Sequence, residues 1–261
     1  MMIDNYGENF YESVSKRAEE TAEPVIKILF SFINQVDSLK DVGCGSGIWL
    51  KKFVDTGKIK HAIGFDLENA VNSGTTAVNK KILVKSIDFE KLDENIFPKT
   101  DLSLFLEVAE HLTEETAKKI IRYICKTSNM IIFSAAIPGQ GGYNHMNEKP
   151  MNYWVAKLED NEFYVFDVFR EQLNSIKNLP FYYCNNLILG ISKNYYEENK
   201  VELDSIKSYK INSASQIKDY RNLTQKIQYK LLSFFDYRVI NKIVLIKDYF
   251  YLKKFNTNRL N

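Results

Sequence analysis

Short apolar runs alternate with helix-like segments between residues 39 and 136. Each run has the length of a buried strand, and the segments between them, such as IWLKKFVDTG and TEETAKKIIRYICKTS, have the apolar spacing of helices. Strands that alternate with helices predict an α/β fold in which helices cover both faces of a mostly parallel sheet. The five runs are LKDVG (39–43), HAIGFD (61–66), KILVKSID (81–88), DLSLFLEV (101–108) and MIIFSAA (130–136).

The chain continues after residue 150 with one helix, MNYWVAKLED, and two further strands near EFYVFDVF and YYCNNLILGIS. These strands would close the sheet with an antiparallel edge strand. We therefore predict a Rossmann-like, doubly wound sheet of about seven strands. Residues 11–33 predict a leading helix, with Pro24 ending or kinking its first half. Thr113 is expected to begin the helix after the fourth strand, although Thr116 stands where a full capping box needs an acid or amide.

Composition is that of a globular protein, since 45% of the 261 residues are hydrophobic and 26% are charged. No run of apolar residues is long enough for a transmembrane helix. The start, MMIDNYGENF, is acidic and lacks the apolar stretch of a secretion signal. Three widely spaced cysteines, Cys44, Cys125 and Cys184, are expected to be reduced thiols, which favours a cytoplasmic location.

Charge divides the chain into two parts. Residues 1–194 carry a net charge of −4, whereas residues 195–261 carry 13 basic and 7 acidic residues, a net charge of +6. We predict a domain over 1–194, whose acidic balance does not favour nucleic acid as a partner, and a basic helical extension over 195–261. Two interpretations of the extension stay open. It contacts an anionic membrane surface through Tyr249, Phe250 and Tyr251, or it packs on its own domain or on a second subunit.

A glycine loop, DVGCGSG (41–47), follows the first strand and opens a helix. Glycine permits a tight turn and the close approach of a ligand to the backbone. The loop alone is also explained by a plain strand-to-helix turn. The dinucleotide-binding fingerprint fails, because Ile48 stands where its third glycine belongs, and this disfavours a nicotinamide oxidoreductase.

Acidic residues end the second and third apolar runs. Asp66 can accept both hydroxyls of a ribose. Asp88 can accept the amino group of an adenine while Phe89 supplies a backbone amide. Either acid alone is explained by a solvated strand end. Together with the glycine loop, they indicate a site for an adenosine-containing cofactor.

This set of motifs resembles the class I S-adenosylmethionine-dependent methyltransferases over residues 38–193. The resemblance implies that Asp41 and the glycines contact the methionine part, Asp66 holds the ribose and Asp88 faces the adenine. It also makes the leading helix, with Tyr6 and Tyr11, a candidate lid over the cofactor, with a plain packing helix as the alternative. The predicted cofactor-binding set is Asp41, Gly43, Cys44, Gly45, Gly47, Asp66, Leu67, Asp88, Phe89 and Glu107.

The fourth run ends in EVAEH, which places Glu107, Glu110 and His111 at positions that share one helical face. The loop PGQGGYNHMNEKP (138–150) follows the fifth strand. Because the loops after strands four and five open at the same edge of the sheet, His145 is expected to lie over these residues. Two carboxylates and two imidazoles suit Mg²⁺ or Mn²⁺, so Glu107, Glu110, His111 and His145 are the predicted metal ligands.

The same residues resemble the E-x-x-E-H motif and later histidine of the small-RNA 2′-O-methyltransferases. Ubiquinone-pathway O-methyltransferases share the first part. The resemblance implies a metal ion that holds the acceptor hydroxyl. A metal-free alternative makes His145 or His111 a general base, with Glu110 completing the predicted catalytic set. A purely structural role for these residues also stays open.

A narrower resemblance comes from PGQGGxxHxNE followed by a helix with Tyr153 and Trp154. Methyltransferases of bacterial surface-polysaccharide gene sets share this pattern. The expected function is O-methylation of a sugar, a nucleotide-linked sugar or a phosphoramidate intermediate of capsule synthesis, with a small molecule or glycan precursor as the partner. Methylation of another small metabolite or an RNA 3′ end is the first alternative. A non-catalytic S-adenosylmethionine-binding protein is the second.

Overall fold

A computed structural model describes residues 8–68, 70, 81–142, 144–232, 234–235 and 239. The strands in these residues form one seven-stranded sheet. They are β1 (Ser38–Val42), β2 (His61–Asp66), β3 (Ile82–Ser86), β4 (Thr100–Leu106), β5 (Ser128–Ser134), β6 (Phe163–Phe166) and β7 (Ile188–Ser192).

The strand order is β3-β2-β1-β4-β5-β7-β6. Strands β1 to β5 pair in parallel, and β7 runs antiparallel to both of its neighbours, β5 and β6. The prediction of a mostly parallel α/β sheet with an antiparallel strand at its edge is therefore confirmed, with β7 one place inside that edge. The order reverses between β1 and β4, and ligands of doubly wound sheets bind beyond the carboxyl ends of the strands at such a reversal.

Helices lie on both faces of the sheet, over two separate hydrophobic cores. Successive strand residues alternate between the two cores. Leu104 lies in the core that also contains residues of the helices at 8–32 and 48–55, whereas Phe105 lies in the core that contains residues of the helices at 114–126 and 151–159. The helices are α1 (Glu8–Phe32), α2 (Ile48–Asp55), α3 (Glu114–Lys126), α4 (Met151–Glu159), α5 (Arg170–Asn174), α6 (Phe181–Asn186), α7 (Lys193–Glu198) and α8 (Leu223–Leu232).

The leading helix α1 continues through Pro24, so proline does not end it. Ala22 and Val25, on either side, are completely buried, and this packing offsets the loss of one helical hydrogen bond. Helix α3 begins as expected at Thr113, whose hydroxyl accepts the N–H of Thr116 at 3.2 Å. The acids of its first turn favour the helix N-terminus.

The described part of the extension packs on the domain. Ile206 and Ile211 are buried in the two cores. The backbone of Lys210 forms an isolated antiparallel β-bridge with Phe166 of β6. Helix α8 buries Tyr229, whereas its apolar residues Leu223, Ile227 and Leu231 are exposed. The segment with Tyr249, Phe250 and Tyr251, like Tyr6 at the other end, lies outside the described residues.

No helix in the described part of the chain is both long enough and apolar enough to cross a membrane. The domain boundary at residue 194 stays a prediction. So do the membrane and second-subunit interpretations of the extension.

Candidate active site

The glycine loop after β1 adopts a conformation that ordinary residues avoid. Gly43, Gly45 and Gly47 have φ angles of 84°, 51° and 76°. A Cβ atom on Gly43 would lie 2.3 Å from Cγ2 of Val108, so the loops after β1 and β4 touch at a point where only glycine fits. Gly47 precedes α2 without a side-chain cap, and no acid lies in the first turn. The helix N-terminus therefore offers N–H groups to an anionic part of a ligand.

Two acids, the partly buried Asp66 and the buried Asp41, lie at this loop. One oxygen of Asp66 accepts the N–H of Gly45 at 2.6 Å, and the other accepts the N–H of Leu67 at 2.7 Å. Burial raises the pKa of Asp66, and these two amides oppose the rise. Burial, followed by the charge of Asp66, raises the pKa of Asp41 well above the usual range. Each Asp66 oxygen keeps a lone pair with which it can accept a ligand hydroxyl.

Asp88 has a different environment. Its carboxylate is half exposed, pairs with Lys91 at 3.1 Å and accepts the N–H of Glu90 at 3.0 Å. The hydrogen bond from Lys91, followed by the one from Glu90, lowers the pKa of Asp88. Phe89 is buried, and Cys44 packs against Gly64 of β2. The adenine role of Asp88 and Phe89 stays a prediction.

The loop after β5 is bonded directly to the turn after β4. The N–H groups of Met146 and Asn147 both donate to the carbonyl of Glu110, at 2.8 and 3.0 Å. The amide side chain of Asn147 donates to the carbonyl of Ala109 at 3.1 Å. These three bonds bring His145 next to His111, with a ring-centroid separation of 4.8 Å.

Glu110, His111 and His145 form a compact cluster. One potential ligand atom from each residue lies within 4.8 Å of the other two. Glu110 is completely buried, and within the described residues neither of its carboxylate oxygens has a hydrogen-bond partner in good geometry, although the backbone amides of Glu110 and Ala136 lie near enough to oppose the rise of its pKa. Burial, and then repulsion from Glu107, raises its pKa well above the usual range. A buried carboxylate in this state requires an explanation, because buried polar groups are nearly always satisfied.

Glu107 faces a different set of partners. Its backbone is left-handed, with a φ of 54°, which is strained for a residue with a side chain. Its two oxygens accept hydrogen bonds from the side-chain amides of Gln140 at 3.2 Å and Asn186 at 3.4 Å. Burial raises the pKa of Glu107, and the Ser134 hydroxyl opposes this rise, followed by the Asn186 amide, the charge of His145 and the Gln140 amide. Its predicted role as a metal ligand therefore competes with these amides, and its predicted contact with the cofactor stays open.

No family model matches the chain, and no curated protein matches it either. Solved structures do match. A putative O-methyltransferase from Nostoc punctiforme superposes with a TM-score of 0.55 at 12% identity, over 71% of this chain and 59% of that one. Human N-acetylserotonin methyltransferase in complex with S-adenosylmethionine gives 0.51 at 16% identity, over 71% and 55%.

The magnesium protoporphyrin IX methyltransferase of Synechocystis, with S-adenosylmethionine bound, gives a TM-score of 0.51 at 16% identity, over 72% of this chain and 86% of that one. The chain has the class I methyltransferase fold. It spans less than two thirds of the Nostoc and human chains. At such low identity, the likeness extends to the fold and not to a substrate.

The sequence analysis did not identify three polar residues around this site: Gln140, Glu148 and Asn186. Asn186 donates to Gln140 at 2.9 Å as well as to Glu107. The sequence did not predict this contact, because 79 residues separate Asn186 from Glu107. The carboxylate of Glu148 lies within hydrogen-bond distance of Nδ1 of His145, at 2.9 Å. It did carry a signal, since it follows the histidine by three residues in the same loop.

Proposed function

We propose that this protein is an S-adenosylmethionine-dependent O-methyltransferase that acts on a polar hydroxyl acceptor. The observation that supports it most is the buried, unpartnered carboxylate of Glu110 beside His111 and His145. This cluster follows β4 and β5, at the same edge of the sheet as the glycine loop. Such a group lowers stability, so its presence at a ligand crevice favours a functional role.

The cofactor half of the proposed site consists of the glycine loop, Asp41 and Asp66. The loop gives room for a ligand to approach the backbone, and Asp66 has free lone pairs for ribose hydroxyls. When bound, S-adenosylmethionine supplies an electrophilic methyl group on a sulfonium. Buried acids nearby suit that positive charge. Asp88 and Phe89 are proposed to face the adenine.

The acceptor half is proposed to hold a hydroxyl beside His145 and Glu110. In the transfer, the acceptor oxygen forms the new bond to the methyl carbon as the bond from that carbon to sulfur breaks. The hydroxyl proton must leave, and a neutral imidazole of His145 or His111 can accept it as a general base. Holding the acceptor in line for attack is the second contribution of these residues.

A divalent metal is compatible with the same cluster. One carboxylate and two imidazoles within 4.8 Å match the donor types that Mn²⁺ or Mg²⁺ accepts, and an ion would satisfy the Glu110 oxygens. Such an ion would lower the pKa of a bound acceptor hydroxyl. Glu110, His111 and His145 would hold it, with Glu107 as a further candidate that must first give up its amide partners.

The proposed acceptor class is a sugar, a nucleotide-linked sugar or a phosphoramidate intermediate of surface-polysaccharide synthesis. The loop 138–150 carries the resemblance to such enzymes. The amides of Gln140 and Asn186 give the neighbourhood of Glu107 hydrogen-bonding groups suited to a hydroxyl-rich molecule.

Calorimetric titration with S-adenosylhomocysteine tests the proposal. We expect micromolar binding that Asp66→Ala abolishes, because that carboxylate is proposed to hold the ribose. The matched control is Asp55→Ala, which removes an exposed carboxylate that pairs with Lys51 at the far end of α2. Binding that is absent in the wild type, or equally weakened by both variants, would overturn the cofactor assignment.

Transfer itself is tested with methyl-labelled S-adenosylmethionine and a panel of nucleotide-linked sugars and capsule precursors. Incorporation that His145→Ala abolishes, with cofactor binding retained, is the expected result. Cofactor binding without transfer to any member would favour the non-catalytic alternative. Titration with Mn²⁺ before and after EDTA separates the two catalytic alternatives, because only a metal site gives a Mn²⁺ heat that His145→Ala removes.

A further inference from the structure

The carboxylate of Glu148 contacts three nitrogen atoms. It accepts the N–H of Gly139 at 2.7 Å and the N–H of Gly141 at 2.8 Å, and it lies 2.9 Å from Nδ1 of His145. The side chains of Glu148 and His145 are 12% and 10% exposed, so water competes little for these bonds. Bonds of this kind, from N–H groups to a carboxylate, are stronger than neutral ones. The carboxylate therefore fixes both the glycine-rich loop and the imidazole.

The three bonds determine which ring nitrogen carries the proton. Two backbone N–H groups already require Glu148 to be an acceptor, and a carboxylate has no proton to offer. The bond at Nδ1 of His145 is therefore donated by the ring. A neutral imidazole has one proton, so Nε2 keeps its lone pair. Only a nitrogen with a lone pair can accept a proton or bind a metal.

Gly142 constrains the imidazole at its other nitrogen. A Cβ atom on Gly142 would lie 2.1 Å from Nε2 of His145 and 2.3 Å from its Cε1. The ring therefore occupies the space that a side chain at residue 142 would fill. Glu148 holds one end of the ring, and the bare backbone of Gly142 leaves room for the other.

We propose that Glu148 is the positioning residue of this site. It holds His145 as the Nδ1-protonated tautomer and presents the Nε2 lone pair to Glu110 and His111. The inference rests on the proposed function for its purpose. It applies equally to a general base and to a metal ligand, because both need the same free nitrogen. Carboxylates that bond the second nitrogen of a functional histidine act in this way in both settings.

Nitrogen-15 spectroscopy of histidine-labelled protein tests the proposal without cofactor, acceptor or metal. The chain has three histidines, and exposed His61 on β2 serves as an internal reference. At a pH where the imidazoles are neutral, we expect His145 to show a protonated Nδ1 and an unprotonated Nε2. In Glu148→Gln, we expect these two signals to shift toward a mixture of tautomers. The matched control is Glu197→Gln, which removes an exposed carboxylate paired with Lys200 and should leave His145 unchanged.

The wild-type spectrum is decisive even if Glu148→Gln does not fold. A proton on Nε2 of wild-type His145 would overturn the proposal, as would a folded Glu148→Gln protein that keeps the wild-type signals. Glu148→Asp keeps the charge but shortens the reach, and should also lose the wild-type signature. If Mn²⁺ binds, Glu148→Gln should weaken its binding by about 10–100-fold. Failure of wild-type S-adenosylhomocysteine binding would remove the proposed function and leave the tautomer result standing.

Discussion

Lys40 and Glu110 are both completely buried ionisable residues, at opposite edges of the same sheet. Lys40 reaches the amino edge, where its ammonium donates to the carbonyls of Pro98 and Thr127 at 3.0 and 2.7 Å. It also donates to the hydroxyls of Thr100 and Thr127 at 3.2 and 2.9 Å. Glu110 lies at the carboxyl edge, and among the described residues its oxygens have no hydrogen-bond partner in good geometry, with the backbone amides of Glu110 and Ala136 nearby.

The difference separates a structural buried charge from a functional one. The acceptors around Lys40 join the segments before β4 and β5, so the ammonium holds the two strand starts together. Nothing comparable holds the Glu110 carboxylate. A charge buried without partners lowers stability, and it persists where a ligand satisfies it. We expect substitutions of Lys40 to lower stability and to leave ligand binding unchanged. We expect substitutions of Glu110 to raise stability and to weaken ligand binding.

Lys40→Met gives the largest expected effect. The substitution fills similar volume but leaves the carbonyl of Pro98 without its donor, and an unsatisfied buried acceptor costs about 1–3 kcal/mol. The carbonyl of Thr127 loses the ammonium but keeps the N–H of Thr100 at 2.9 Å, so it loses only the net worth of one bond, about 1 kcal/mol. We expect the free energy of unfolding to fall by about 3 kcal/mol in total. Denaturant titration measures it. Affinity of the folded protein for S-adenosylhomocysteine should be unchanged, and a loss of affinity would contradict the separation of the two edges.

Gly43→Ala is expected to have the second-largest effect on stability. Comparison with a control substitution separates the cost of crowding at the carboxyl edge from the cost of backbone strain. Left-handed φ costs alanine about 1 kcal/mol, and the overlap of its Cβ with Val108 adds about 1–3 kcal/mol. The control is Gly57→Ala, where φ is 77° but nothing lies within 4 Å of the added Cβ. Denaturant titration should give the strain alone for residue 57 and both contributions for residue 43. Equal losses would mean that Val108 moves aside freely.

Some features of these two edges of the sheet could be predicted from the sequence, and others could not. The glycine loop and Asp66 could be predicted because their pattern is local: one turn, and one acid at the end of the next strand. The pairing of His145 with EVAEH followed from strand order. The partners of Lys40 could not be predicted, because the donor and its acceptors are separated by up to 87 residues. Asn186 was missed for the same reason, whereas Glu148 was missed despite a local signal.

Glu110→Gln reverses the usual direction of a core substitution. Glutamine has the same shape and carries no charge, so it removes both the burial penalty and the repulsion from Glu107. We expect the metal-free protein to become more stable by about 1 kcal/mol near neutral pH, which is typical of relieving strain at a functional site. Thermal unfolding measures this. If Mn²⁺ stabilises the wild type, that stabilisation should be lost in the variant. A destabilised metal-free variant would mean that the carboxylate has a structural role.

The smallest expected effect is a pH dependence of the free energy of unfolding that is specific to Lys40 and not to Glu110. Burial lowers the pKa of Lys40 from 10.5 to about 7, so the unfolded chain binds a proton more tightly than the folded protein between these values. Stability contributed by this group must therefore rise with pH above about 7. The four acceptors favour the charged form and reduce the rise, which we place at about 1 kcal/mol between pH 7 and 8.5.

Lys40→Met should lack this rise, so the difference in unfolding free energy between variant and wild type should widen as the pH increases over that range. The buried thiols of Cys44 and Cys125 have pKa values raised by burial and act in the opposite direction at higher pH. The contribution of Cys44 cancels in the difference, whereas the charge of Lys40 lowers the pKa of Cys125, so the contribution of Cys125 enters the difference toward the upper end of the range. A difference independent of pH would mean that the four acceptors hold Lys40 charged throughout. The amino edge would then carry a fully compensated charge, and the contrast with Glu110 would be sharper still.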